Sequence, residues 1–232
     1  MGQICSKPDV NNFIEACETG NLTLAKRLFQ LNPGINISAF NEYAFRRACE
    51  KGHLHVAQWM LLIKPTINIS AEDDYAFRRA CLKGHLYVAK WLLLISKEKG
   101  QCIHISAENE QAFRWACRNG HLEVAKWLLL ERGQCINISA DNENAFVWAC
   151  LKGHLEVAKW LQSLKPHLYV FEYDKNEDYI CIHYRIRDKE EANWEQRKYL
   201  VWLASKRCPE QNRNNLLYKL PSDVSRMVIG FV

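Results

Sequence analysis

Between Asn41 and Leu62 the sequence reads NEYAFRRACEKGHLHVAQWMLL, and its apolar residues are spaced for two short helices. Ala44, Phe45, Ala48 and Cys49 fall at i, i+1, i+4 and i+5, which puts them on one face of a helix about two turns long. Gly52 follows, a residue able to take the left-handed conformation that ends a helix. A second apolar face then runs through Leu54, Val56, Ala57, Met60 and Leu61. The same order of apolar and polar positions returns at residues 73–94, 109–130 and 142–163, and more loosely at 11–29. The spacing of the four close copies, 32 to 36 residues, is that of a helical repeat array rather than of heptads. Asn41, Asp73, Asn109 and Asn142 stand where each first helix would take its N-cap. Ile35-Asn36-Ile37-Ser38 and its counterparts at 67–70, 103–106 and 136–139 alternate apolar and polar residues and predict short extended segments in projecting loops. Lys97 to Gln101 reads as a small loop insertion in one copy.

After Pro166 the pattern breaks. Leu168 to Tyr173 and Ile180 to Ile186 read as two strands of a hairpin, Glu190 to Lys206 as a helix, and the stretch from Pro209 to Asn215 as a loop. The expected fold class is mainly α: a solenoid of about five helix pairs over residues 10–173, after a leader at 1–9, with a small mixed α/β cap at 174–232.

The Gly-His-Leu-x-Val-Ala stretches at Gly52, Gly84, Gly120 and Gly153, each preceded by Ala-Cys, make the repeat resemble the ankyrin repeat. It departs from that pattern at the start of the first helix, where Tyr-Ala-Phe-Arg, Gln-Ala-Phe-Arg or Asn-Ala-Phe-Val stands in place of Thr-Pro-Leu-His. With its Ile-Asn-Ile-Ser-Ala connections, the variant set is similar to the ankyrin proteins of large DNA viruses. The resemblance implies a protein-binding groove formed by loop tips and the exposed side of the first helices. By motif position the groove would hold Phe40, Glu42, Glu50 and Lys51, then Glu72, Asp74, Leu82 and Lys83. Glu108, Glu110, Arg118 and Asn119 follow, then Asp141, Glu143, Leu151 and Lys152. Behind this acidic rim lie Arg46, Arg47, Arg78, Arg79 and Arg114, giving way to Trp115, Val147 and Trp148. Glu42 with Arg46, Asp74 with Arg78 and Glu110 with Arg114 are i, i+4 pairs, so a self-paired solvated face stands beside the groove as an equal reading.

The last segment resembles the opening helix of an F-box, as in the shortened F-box-like ends of poxvirus ankyrin proteins. Leu220, Pro221, Asp223, Val224, Met227, Val228 and Ile229 carry that likeness. It implies contact with a ubiquitin-ligase adaptor, against the plainer reading of a capping helix.

Composition narrows the chemistry. The net charge of +5 comes without a long Lys/Arg run, and acidic tips do not suit phosphate contact, so no nucleic-acid partner is expected. Five of the ten cysteines, Cys17, Cys49, Cys81, Cys117 and Cys150, recur at one apolar position, which reads as packing in a reducing cytoplasm rather than a disulfide framework. His53, His85, His121 and His154 lie four residues after four of these cysteines. One Cys and one His per repeat form an incomplete zinc set, so they read as turn histidines with no metal. Neither a nucleophile with its base nor a phosphate-binding loop stands out, and no enzymatic activity or cofactor is expected. Trp59, Trp91, Trp127 and Trp160 recur on the second helices and predict indoles stacked between neighbouring repeats. Finally, the chain opens MGQICSKP, in which Gly2 and Ser6 fit an N-myristoylation signal and Cys5 a palmitoylation position. An acyl anchor would attach an otherwise cytoplasmic protein to a host membrane; an unstructured leader is the alternative.

Overall fold

The computed structural model describes residues 10–132 and 136–166, together with the backbone of 180–185 and 198–203. Gly2, Cys5, the 168–173 strand and the F-box-like segment from Leu220 to Val232 lie outside the described residues. The chain divides into two compact units, Met1–Ala145 and Phe146–Val232.

In the first unit the helices come in pairs: α1 (Val10–Glu18) with α2 (Leu22–Leu31), α3 (Ala39–Glu50) with α4 (Leu54–Ile63), α5 (Ala71–Leu82) with α6 (Leu86–Glu98), and α7 (Ala107–Arg118) with α8 (Leu122–Arg132). The first helices also pack in sequence, α1 on α3, α3 on α5 and α5 on α7. α9 (Ala140–Leu151) and α10 (Leu155–Leu164) follow, with Phe146, Ala149 and Cys150 of α9 and Val157, Ala158 and Leu161 of α10 buried in the second unit.

The apolar periodicity fills the core as its spacing demands. Phe13, Phe45, Phe77, Phe113 and Phe146 are buried at one equivalent position, each followed along its helix by a buried Ala-Cys pair. The second helices bury Val56, Ala57 and Met60, or Val88, Ala89 and Leu92, and their equivalents. Gly52 takes φ +83° and closes α3: its N–H donates to Cys49 O at 3.1 Å, and the His53 N–H donates to Ala48 O at 2.8 Å. That pairing satisfies carbonyls a helix end leaves free. A side chain could not replace the hydrogen, since a Cβ on Gly52 would sit 2.6 Å from the His85 ring of the next repeat. His53, His85 and His121 thus each pack beneath the preceding repeat's turn.

Four expectations are corrected. Asn41, Asp73, Asn109 and Asn142 are not N-caps: each is the middle residue of a three-residue left-handed turn that opens the helix, such as Phe40-Asn41-Glu42 at φ 55°, 55° and 62°. Trp59, Trp91 and Trp127 meet phenylalanine rings rather than one another. Trp59 meets Phe13 and Phe29 at ring distances of 6.2 and 6.1 Å, Trp91 meets Phe45 at 6.3 Å, and Trp127 meets Phe77 at 6.3 Å. The indole is the longer lever and reaches the core ring of the preceding first helix.

The connections are anchored rather than projecting. Ile67 and Ile69 are buried, and the Ile69 N–H donates to Gln101 Oε1 at 2.7 Å, so the inserted segment binds its neighbour's loop. In the second unit, Lys198–Leu203 forms strand β2 where a helix over 190–206 was expected. It pairs antiparallel with β1 (Ile180–Arg185), with Ile182 opposite Val201. Tyr-Leu-Val-Trp-Leu is a short, continuous apolar run whose periodicity does not separate helix from strand. Pairing with the alternating residues of β1 decides it.

Candidate protein-binding face

The left-handed turns govern which predicted residues reach the surface. Non-glycine residues in this conformation cost about 1–2 kcal/mol each, and each turn leaves backbone carbonyls without helical partners. An arginine one turn further along supplies donors. Arg46 donates from Nε to Asn41 O at 2.8 Å and from Nη2 to Phe40 O at 3.0 Å. Arg78 does the same to Asp73 O and Glu72 O at 2.7 and 3.1 Å, and Arg114 to Asn109 O and Glu108 O at 2.7 and 3.0 Å. The planar five-donor guanidinium suits two adjacent carbonyls as a lysine would not.

These arginines also reach forward. Arg78 donates from Nη1 to Gln111, and Arg114 Nη1 meets Asp141 Oδ2 at 2.5 Å. They are structural ties, and the expected i, i+4 pairs with Glu42, Asp74 and Glu110 do not form among them.

The acids have a different task. Glu42, Asp74, Glu110 and Glu143 are buried, at 7%, 3%, 6% and 7% exposure, so they cannot serve as rim carboxylates. Three of them accept a backbone N–H from the next repeat's connection: Asn68 N–H to Glu42 Oε1 at 3.4 Å, His104 N–H to Asp74 Oδ2 at 2.8 Å, and Asn137 N–H to Glu110 Oε1 at 3.4 Å. Ser38 Oγ closes the turn onto Glu42 Oε1 at 2.6 Å. In these three repeats the residue that ends the left-handed turn staples the repeat to its successor.

What the surface of the first helices offers is a lattice of rings and guanidinium groups. Arg47 pairs with Glu18 of α1 and, at 2.5 Å, with Glu50 of its own helix. Buried Glu50 also receives Arg79 Nε at 3.2 Å and the Tyr75 hydroxyl at 3.3 Å. The Arg46 guanidinium lies 5.5 Å from the Tyr43 ring and 5.0 Å from Tyr75; that of Arg79 lies 5.2 Å from Tyr75 and 5.9 Å from Trp115. One connected surface therefore spans α1, α3, α5 and α7. The Arg47 guanidinium holds the Glu18 carboxyl below its ordinary range, with Lys51 adding to the effect. Phe40, 68% exposed, flanks a depression of about 410 Å³ lined also by Asn11, Ile14, Glu15, Glu18 and Tyr43.

Of the residues expected in the groove, Phe40, Arg47, Arg79 and Trp115, with exposed Glu72, Glu108, Lys51 and Lys83, lie on or at the ends of these first helices. Tyr43, Tyr75 and Glu18 of the lattice were not among those expected. The signal for the tyrosines was available, since they occupy the position where later repeats carry Gln111 and Asn144. In the second unit Trp148 is half-buried, with Lys152 over its ring at 5.9 Å.

The five recurring cysteines are all buried. Burial pushes the Cys17 and Cys150 thiols up to about 12, and those of Cys49, Cys81 and Cys117 higher still, the opposite of an activated nucleophile. Among the described residues no group of three or more His, Cys, Asp or Glu side chains is placed to hold a metal ion, and no helix is long and apolar enough to cross a membrane.

Paired helices stacked by their first members, with a connected polar-aromatic surface along them, define a helical repeat scaffold. Residues 77–170 match the family model for ankyrin repeats, in three copies. Ankyrin repeats are protein–protein interaction modules, and this stretch of the chain is similar to them. Among curated proteins none matches the chain.

Proposed function

We propose that the chain is a non-enzymatic adaptor that takes a protein partner on the exposed side of α1, α3, α5 and α7. The observation that carries this is the Tyr43–Arg47–Tyr75–Arg79–Trp115 lattice: tyrosine, tryptophan and arginine dominate the energetics of protein interfaces. Here they are held in place before any partner arrives, which lowers the entropy lost on binding. Glu50 and Glu18 neutralise the guanidinium groups, so recognition rests on ring area and shape more than on net charge. Capture of a partner from cell extract, compared between the native chain and Tyr75→Ala and Trp115→Ala variants, tests the site. Loss of at least about thirtyfold in affinity is expected at a central aromatic. Undiminished capture by folded variants would place the partner elsewhere.

The resemblance to viral ankyrin proteins supports a finer version, in which the partner is a host or viral protein and Leu220 to Val232 recruits a cullin-type ubiquitin ligase. Removal of the last thirteen residues should then abolish co-purification of a ligase adaptor while partner capture persists. The MGQICSKP opening supports a second reading, a scaffold tethered to a membrane through acylated Gly2 and Cys5 with no ligase contact. Incorporation of a myristate analogue at Gly2, with cytosolic release on removal of the first eight residues, is its expected mark.

A further inference from the structure

The second helices carry a surface that neither the repeat core nor the first-helix lattice uses. Leu62 of α4 and Leu94 of α6 occupy the same place in consecutive repeats and are 78% and 57% exposed, and Leu31 at the end of α2 is 62% exposed. Packing does not require them there, because the buried side of α4 is made by Val56, Ala57, Met60 and Leu61, and that of α6 by their equivalents. Lys64 and Lys97 stand beside these leucines at the helix ends. Lys99 Nζ donates to Pro65 O at 2.8 Å, which sets the end of α6 next to the end of α4.

Charge follows the same division. From Leu22 to Gly100 the second helices and the turns that close them carry Lys26, Arg27, Lys64, Lys90, Lys97 and Lys99 against one acid, Glu98. The remaining acids of that stretch, Glu42, Glu50, Glu72, Asp73 and Asp74, all lie on α3 and α5. A lysine near a helix C-terminus is accounted for by the helix dipole. An adjacent leucine more than half exposed gains nothing from it.

We propose that the C-terminal ends of α2, α4 and α6 form a peripheral docking surface for an anionic lipid bilayer. The leucines enter the headgroup boundary and the lysines meet lipid phosphates and carboxylates, the division of labour of interfacial amphipathic surfaces. Aliphatic side chains between the lysines suit acyl chains rather than the stacked bases of a nucleic acid. The surface ends at α8, where Leu130 is still 81% exposed but is followed by Glu131. The inference is independent of Gly2: it needs no acyl chain, although one acyl chain plus a basic patch is a combination that holds a protein stably at a membrane.

The test uses the full chain made in bacteria without acylation, sedimented with phosphatidylcholine vesicles with and without about 30% phosphatidylserine. Binding to the anionic vesicles alone is expected, weakening as salt is raised. At about fivefold per lysine, a Lys64→Glu/Lys90→Glu/Lys97→Glu variant should bind on the order of a hundredfold more weakly. A Leu62→Ser/Leu94→Ser variant should also lose binding, both with unchanged circular dichroism. The proposal is overturned by absence of binding to anionic vesicles, by equal binding to uncharged ones, or by indifference to the charge reversals. It is overturned equally if the leucine variant turns a dimer into a monomer in sedimentation velocity, which would assign the surface to a second copy of the chain.

Discussion

The contact between Gly52 and His85 offers the most discriminating test of how successive repeats are locked. An alanine at Gly52 would hold its left-handed φ of +83° at a cost of about 1–2 kcal/mol. Its Cβ would also lie 2.6 Å from His85 Cε1 and Nδ1 and 2.9 Å from Cγ, well inside contact distance. The ring would have to move, straining the packing by about 1–3 kcal/mol and breaking its hydrogen bond to the Glu50 backbone. Gly52→Ala should therefore destabilise by roughly 2–5 kcal/mol. His85→Ala alone forfeits the hydrogen bond and leaves a cavity, for about 1–3 kcal/mol. In the double variant the methyl group occupies the space of the missing ring, so the two effects should fall short of additivity by about 1–3 kcal/mol. Urea unfolding followed by circular dichroism and tryptophan fluorescence measures the cycle. Gly100→Ala is the control: Gly100 has φ +65° but no atom near its added Cβ, so only the backbone cost should appear. Additivity at Gly52 and His85 within about 0.5 kcal/mol would refute the interlock.

The staple role of the buried acids predicts that Asp74→Ala, which strands the His104 N–H, destabilises by about 1–3 kcal/mol. The same change at neighbouring exposed Glu72 should stay within about 0.5 kcal/mol; equal effects in urea unfolding would contradict the assignment. Acid should weaken the array through its histidines. Burial lowers the pKa of His53 and of His85 below the ordinary 6.5, helped by His55 and Lys51 near the first and by His53 and Lys83 near the second, against backbone acceptors at Glu18 and Glu50. The folded state thus binds fewer protons than the unfolded chain. This contribution is whole above about pH 6.5, declines as pH falls towards the depressed folded values, and then levels off; thermal melts should show that step reduced in a His53→Gln/His85→Gln variant. A maleimide applied to native protein should label Cys102 rapidly, whereas Cys17, Cys49, Cys81, Cys117 and Cys150 should react only after unfolding, as read by peptide mass mapping.

Much of the array was legible in the chain because its signals are local. A 32- to 36-residue period, an Ala-Phe-x-x-Ala-Cys face and a glycine three residues later name the helices, their apolar sides and the turn between them. None of these needs a distant partner to be recognised. Binding residues were less legible. An acid at Asp74 and an acid at Glu72 look alike as letters, yet the first is buried and the second exposed.

What separates those two acids is the left-handed turn, a backbone state that cannot be read from the residues forming it, since Phe40, Asn41 and Glu42 would each prefer another conformation. The turn persists because the neighbouring repeat offers N–H groups to Glu42 and an arginine offers donors to its carbonyls. In the same way, Lys198 to Leu203 became a strand only because β1 lies alongside. Sequence by itself determined the repeat, its helix pairs and its buried Phe-Ala-Cys face, where one segment's own periodicity supplies the driving force. Tertiary structure decided which charges hold repeats together and which face outward, because that choice depends on hydrogen-bond partners about thirty residues away.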